Sequence, residues 1–287
     1  MTTASTALAP TTSPTTKPRA KGLPVLGATL RESQSLLGAA CGYILMIGLL
    51  VGLLLPAFKT LNIQTYFTGS LSALIGGASL NPHAPIFAVY MALELYSSFF
   101  LLLFGGVLAY TAGSCIARNI EDGTIDITLA RPISRTRLYL EKWAAMLIGI
   151  VIIIGTSLLT AWLCTLFFST ATLDWQWFLL ANIDVAVMLF VVAGVGLLVS
   201  AVMSAGRAAG GVATLVVVLW YLFQTFGTAG DQLSLLKYFG PYYYAPSSQV
   251  ITTEQWTDPW KLLVPLVAGL IAGLVGLVLF QRRDITA

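Results

Sequence analysis

The stretch Arg118-Asn119-Ile120-Glu121-Asp122-Gly123-Thr124-Ile125-Asp126-Ile127-Thr128-Leu129-Ala130-Arg131-Pro132-Ile133-Ser134-Arg135-Thr136-Arg137-Leu138-Tyr139-Leu140-Glu141-Lys142 decides the fold. The 287-residue chain carries 15 Lys+Arg and 12 Asp+Glu. Nine of these charges (Arg118, Glu121, Asp122, Asp126, Arg131, Arg135, Arg137, Glu141 and Lys142) fall in this one stretch, and long uncharged runs flank it on both sides. Charge in hydrocarbon is costly, so a polar island between two membrane-length apolar runs must leave the bilayer.

Composition agrees with that reading. The chain is 57% hydrophobic and 9% charged, against about 25% charged residues in soluble domains. Its mean hydropathy is +0.85. The expected class is an all-α polytopic membrane protein whose core is defined against lipid. Cys41, Cys115 and Cys164 all fall in or beside predicted spans and read as small apolar residues, not as disulfides or metal ligands. His83 is the single histidine and has no nucleophile or ligand set around it. No G-x-x-x-x-G-K-[ST] loop occurs, so the chain has no P-loop of its own.

Outward from the island, hydropathy predicts six spans, at about 36–55, 86–116, 138–168, 178–203, 208–226 and 262–280. Residues 1–22 are rich in Thr, Ser, Pro and Ala and predict a disordered tail ahead of the membrane domain 23–287. Leu23 to Ser35 reads either as a short amphipathic helix along the membrane surface or as the start of the first span. Between spans one and two, Tyr66–Ile75 is too short to cross and predicts a surface or re-entrant piece. The segment Gly227–Trp260 is aromatic and turn-rich. With Trp256 and Trp260 beside the last span, it predicts an interfacial aromatic belt.

Charge placement orients the chain. Lys17, Arg19, Lys21 and Arg31 precede the first span, and Arg118, Arg131, Arg135, Arg137 and Lys142 lie in the island. Arg207, Arg282 and Arg283 share that side of a six-span layout, leaving only Lys59, Lys237 and Lys261 on the other. Cytoplasmic loops carry the Lys/Arg excess. Both termini and the island are therefore expected in the cytoplasm of a multi-pass protein of the cell membrane.

Within the island, Gly123 permits a tight turn out of span two, and Asp122 or Thr124 is suited to cap a helix start. Ile125 and Leu129 form an apolar stripe, Pro132 ends that short helix, and Ser134 caps the next. An isolated apolar face in water calls for a groove on another protein. The bland alternative is an ordinary basic loop. Glu94 and Asp184 are carboxylates inside spans two and four. They read either as interhelical polar contacts or as points on a substrate path.

The run Glu121-Asp122-Gly123-Thr124 … Leu129-Ala130-Arg131-Pro132-Ile133-Ser134-Arg135 … Lys142 resembles the loop after the second span in ABC-2 type permeases, the membrane subunits of ABC exporters. The closing Phe280-Gln281-Arg282-Arg283-Asp284 is similar to that family's carboxyl end. The resemblance implies a cytoplasmic coupling helix between spans two and three. It would dock on a separate P-loop ATP-binding subunit through Glu121, Gly123, Thr124, Ile125, Leu129, Pro132 and Arg135. It further implies two permeases with two ATPases, a permease homodimer, export out of the cytoplasm, no cofactor in this chain, and ATP and Mg on the partner. Membrane lipid is the other expected partner, and nucleic acid is not one. The competing function is an ion-coupled secondary transporter that uses Glu94 and Asp184.

Overall fold

The computed structural model describes residues 23–58, 84–97, 101–124, 133–229, 233–256 and 258–283, and every regular element among them is helical. In chain order these are α1 (Pro24–Phe58), α2 (Ile86–Glu94), a π-helical turn (Leu101–Gly105), α3 (Gly106–Glu121), α4 (Arg135–Phe167), α5 (Trp175–Val202) and α6 (Gly206–Ala229). A 3₁₀ turn (Leu236–Phe239) and the short helices α7 (Pro241–Tyr244) and α8 (Ser247–Thr253) then lead to α9 (Pro259–Arg282). Six helices are long and apolar enough to cross a membrane: Val25–Ala57, Leu101–Glu121, Arg135–Phe167, Trp175–Val202, Gly206–Thr228 and Pro259–Arg282.

Local chemistry sets the ends of these helices. Ser134 accepts the Arg137 N–H at the start of α4, Asp174 accepts the Gln176 N–H at the start of α5, and Asp258 accepts the Trp260 N–H at the start of α9. Each short side-chain oxygen satisfies a backbone donor that the first helical turn leaves free. At the island, α3 closes on Asp122, and Gly123 follows in the left-handed region at φ 63°. A side chain there would be strained. Thr124 Oγ1 donates back to the Asn119 carbonyl. Asp122 thus closes α3, and helical backbone resumes at Thr124.

Of the two readings of Leu23–Ser35, the structure has the start of the first span and no separate surface helix: α1 runs unbroken from Pro24 to Phe58. At 1.5 Å per residue its 35 residues reach about 50 Å, well beyond a hydrocarbon core of about 30 Å. The second span is not one helix over 86–116. Helix α2 stops at Glu94 with Leu95 as its cap, and the membrane-length helix begins at Leu101. The tail 1–22, the segment holding Tyr66–Ile75, and His83 lie outside the described residues.

Helix α5 is the hub of the bundle, packed against α3, α4, α6 and α9. Its buried stripe holds Val185, Leu189, Ala193, Leu197 and Ala201. Small residues permit the closest crossing: a Cβ on Gly194 would overlap the carbonyl oxygen of Gly269 in α9. Beside that crossing Tyr139 of α4 donates to the Gly273 carbonyl at 2.9 Å, and Trp143 stacks on Phe190 at 6.1 Å between centroids. Helix α1 lies on α4 at the rim. Large apolar side chains point outward from the peripheral helices, Leu53, Val151 and Ile271 among them. Such a surface suits lipid, not water.

Candidate functional site

The start of α1, the two ends of the island and the end of α9 all meet at one end of the bundle, where charged side chains tie helix termini together. Glu141, nearly buried near the start of α4, is the centre of one tie. Its Oε2 accepts the Val25 and Leu26 N–H groups at 3.0 and 3.1 Å. Its Oε1 accepts Arg137 Nε at 2.8 Å. A carboxylate from α4 therefore caps α1, satisfying free backbone donors and complementing the positive end of the helix dipole. Glu141→Leu should leave both amides and the Arg137 charge without that partner, at about 2–3 kcal/mol. Hydrogen–deuterium exchange at Val25 and Leu26 should accelerate in Glu141→Leu and stay slow in Glu141→Gln, which keeps an acceptor. Unchanged exchange in both variants would refute the cap.

Glu121, the last residue of α3, makes the second tie: its Oε2 accepts the Gly206 N–H that opens α6 at 2.7 Å. Arg283 makes the third, donating to the Ala201 and Met203 carbonyls at the end of α5 at 3.0 and 2.9 Å. Arg135, the first residue of α4, donates to the Arg283 carbonyl, and Gln281 donates to Thr136 Oγ1 at 2.9 Å. Lys142 is 1% exposed, and its Nζ donates to the Cys115 carbonyl at 2.6 Å. The ammonium thus reaches across from α4 to the backbone of α3. Ser200 Oγ of α5 accepts the Ile116 and Ala117 N–H groups at 2.9 and 3.1 Å, fixing the same turn of α3.

Of the island residues singled out by sequence, Glu121, Gly123, Thr124 and Arg135 are described, and Ile125, Leu129 and Pro132 lie outside the described residues. Glu121 closes α3 and Arg135 opens α4, and both are bonded within the chain, to α6 and to the end of α9. Sequence reading missed Glu141, Lys142 and Arg283 as terminus-tying groups. Their charges were counted toward topology, but nothing in the spacing named their partners.

The opposite end is held by hydroxyls. Tyr96 lies just past the end of α2, and its carbonyl accepts from Tyr242 Oη at 3.0 Å and Ser247 Oγ at 3.2 Å. Its own hydroxyl donates to Asn182 Oδ1 at 3.1 Å and accepts from Ser157 Oγ. Tyr242 is fully buried, so an interfacial belt does not describe it. That description suits Phe239 and Trp260, both well exposed. Asp184 is fully buried in α5, with Oδ1 accepting Trp256 Nε1 at 3.3 Å and Oδ2 without a hydrogen-bond partner among the described residues. Glu94 is exposed. The two carboxylates therefore occupy unlike surroundings. No group of three or more His, Cys, Asp or Glu suited to a metal ion occurs among the described residues.

Comparison with known families finds that the model described as ABC-2 family transporter protein matches residues 47–285. Comparison with curated protein sequences gives no match. The matched region begins inside α1 and runs through α9, so it takes in the island and all the helix-terminus ties except the α1 start.

Proposed function

Because the chain belongs to the ABC-2 family of transporter proteins, we propose that it is the permease subunit of an ATP-driven exporter, coupled to a separate P-loop ATP-binding subunit. The family is a membrane transport component and is not itself catalytic. The observation that supports coupling is the pair of ties within the island: Glu121, closing α3, to α6, and Arg135, opening α4, to the end of α9. Arg283 carries the second tie on to α5, the hub. A force applied to the island by a docked ATPase would reach α3, α4, α5, α6 and α9 through groups that are already bonded. Such a network needs two arrangements to transmit a signal, and the helix-terminus bonds are the ones that would exchange.

In this reading the island docks through Ile125 and Leu129. ATP and Mg are held by the partner, and two permeases associate with two ATPases. Both termini face the cytoplasm of the cell membrane, as the basic residues at the island end favour. Asp184 and Glu94 remain proposed points on the export path. The buried carboxylate of Asp184, half-paired among the described residues, supports this for Asp184 more than for exposed Glu94.

The test is reconstitution of the full chain with an ATPase subunit in proteoliposomes. ATP hydrolysis is expected to rise when the permease is present, with the ATPase bound on the island face. Hydrolysis independent of the permease, together with transport driven by an imposed ion gradient, would establish the ion-coupled alternative.

A further inference from the structure

At the island end a cavity of about 70 Å³ opens between α1 and α3. Helix α1 rests on α4, and α3 packs on α5 and α6, so the space between α1 and α3 is left open. Its walls carry Thr29, Ser33, Thr111 and Ser114, with Glu32 on the α1 side and Arg118 on the α3 side. Exposed Leu36 and Tyr110 border it, so the mouth opens laterally.

The hydroxyl chemistry is one-sided. Thr29 donates to the Val25 carbonyl at 2.9 Å and Ser33 to the Thr29 carbonyl at 3.0 Å. Thr111 donates to the Val107 carbonyl at 2.8 Å and Ser114 to the Thr111 carbonyl at 3.3 Å. A hydroxyl has one hydrogen and two lone pairs. All four hydrogens are spent on helix backbone, so these oxygens offer the cavity only acceptors. Glu32 adds a carboxylate, which when ionised is also acceptor-only. Arg118, which among the described residues pairs with Asp122 at 3.6 Å, supplies donors at the other wall.

The ligand that fits is therefore a cation with N–H donors joined to an anion. Depth along the helices adds a third constraint. Glu32 lies just before the long uncharged run of α1, and Arg118 lies in the last turn of α3. Both sit at the boundary between the apolar length of the bundle and its polar end. From the cavity an apolar crevice continues between α1, α3 and α4 along Leu37, Val107 and Met146, and Ser33 and Thr111 border both spaces. The crevice is narrow, about 10 Å³, so an acyl chain would lie along its mouth, not inside it.

We propose that this cleft binds the headgroup of a primary-amine phospholipid of the leaflet at the island end. Its ammonium would be seated on Glu32 and the spent hydroxyls, and its phosphate on Arg118. A quaternary ammonium has no N–H to donate to these acceptors, and an anionic headgroup without an amine meets Glu32 unfavourably. Occupancy needs no ATPase subunit, so it is separable from transport.

The test uses the purified full chain equilibrated with equimolar phosphatidylethanolamine, its mono- and dimethyl derivatives, phosphatidylcholine and phosphatidylglycerol. Bound lipid is counted by native mass spectrometry. Phosphatidylethanolamine should be retained about tenfold over phosphatidylcholine and phosphatidylglycerol, with retention falling at each methylation, as expected for charge-assisted hydrogen bonds. Glu32→Gln should erase the preference, and Arg118→Gln should weaken retention of phosphatidylethanolamine and phosphatidylcholine alike. Glu32 is exposed, so its substitution should leave the fold intact. Equal retention of all five lipids, or a preference that survives Glu32→Gln, would overturn the assignment. Soluble phosphoethanolamine should fail to displace the lipid at matched concentration. Full displacement would show that the site takes the free phosphate ester and would overturn the lipid as its ligand.

Discussion

Gly194→Val is expected to deprive the protein of a stable bundle. Gly194 faces Gly269 where α5 crosses α9, and a Cβ there would overlap the Gly269 carbonyl oxygen. From the other side, a Cβ on Gly269 would meet Val191 Cα at 2.9 Å. The atoms in the way are backbone, so no rotamer change can clear them. In lipid the helices are not driven together by water, and close van der Waals packing at small residues carries much of their association. Overpacking of a well-filled core costs about 1–3 kcal/mol, and here the helices must separate. The melting temperature should fall by roughly 10 °C or more, with aggregation on size exclusion. Gly155→Val is the control: Gly155 is exposed on α4, and a Cβ there meets nothing within 4 Å. It should behave as the wild type. Equal stability of the two variants would mean that α5 and α9 do not cross at Gly194.

Leu129→Asp is expected to abolish co-purification with the ATP-binding subunit while membrane insertion and the melting temperature stay unchanged. Leu129 and Ile125 are one helical turn apart in a segment otherwise rich in charge, and the proposed dock buries that stripe in a groove of the partner. A lone carboxylate forced into such a contact costs about 3–5 kcal/mol. That corresponds to a loss of affinity of roughly a hundredfold or more. Insertion should survive because the change lies in a polar segment. Asp126→Ala, off the stripe, should leave the complex intact. A Leu129→Asp chain that still holds the ATPase as the wild type does would remove the island as the dock. The Glu121 and Arg135 ties would then be purely structural.

What could be read without coordinates follows from the bilayer. An apolar run must be about 20 residues long to cross, and every backbone group inside must be bonded within the helix. Length, polarity and the island therefore determine an all-helical chain with six membrane-length helices and their order. Caps were legible for the same local reason: Ser134 finds its donor three residues away, so no tertiary partner is needed.

Distant partners were not legible. Nothing between Glu94 and Ser97 contains Pro or Gly to announce a helix end. The helix stops there in a structure where the Tyr96 carbonyl has Tyr242 and Ser247 as donors, about 150 residues along the chain. Trp256 read as an interfacial ring, yet its indole N–H serves Asp184. Glu141 and Lys142 read as charges of the polar island, and the fold buries both. The backbone at the start of α1 and within α3 supplies partners for them. A buried charge is tolerated only where such partners converge. Convergence is a property of the packed bundle, and no spacing along the chain encodes it.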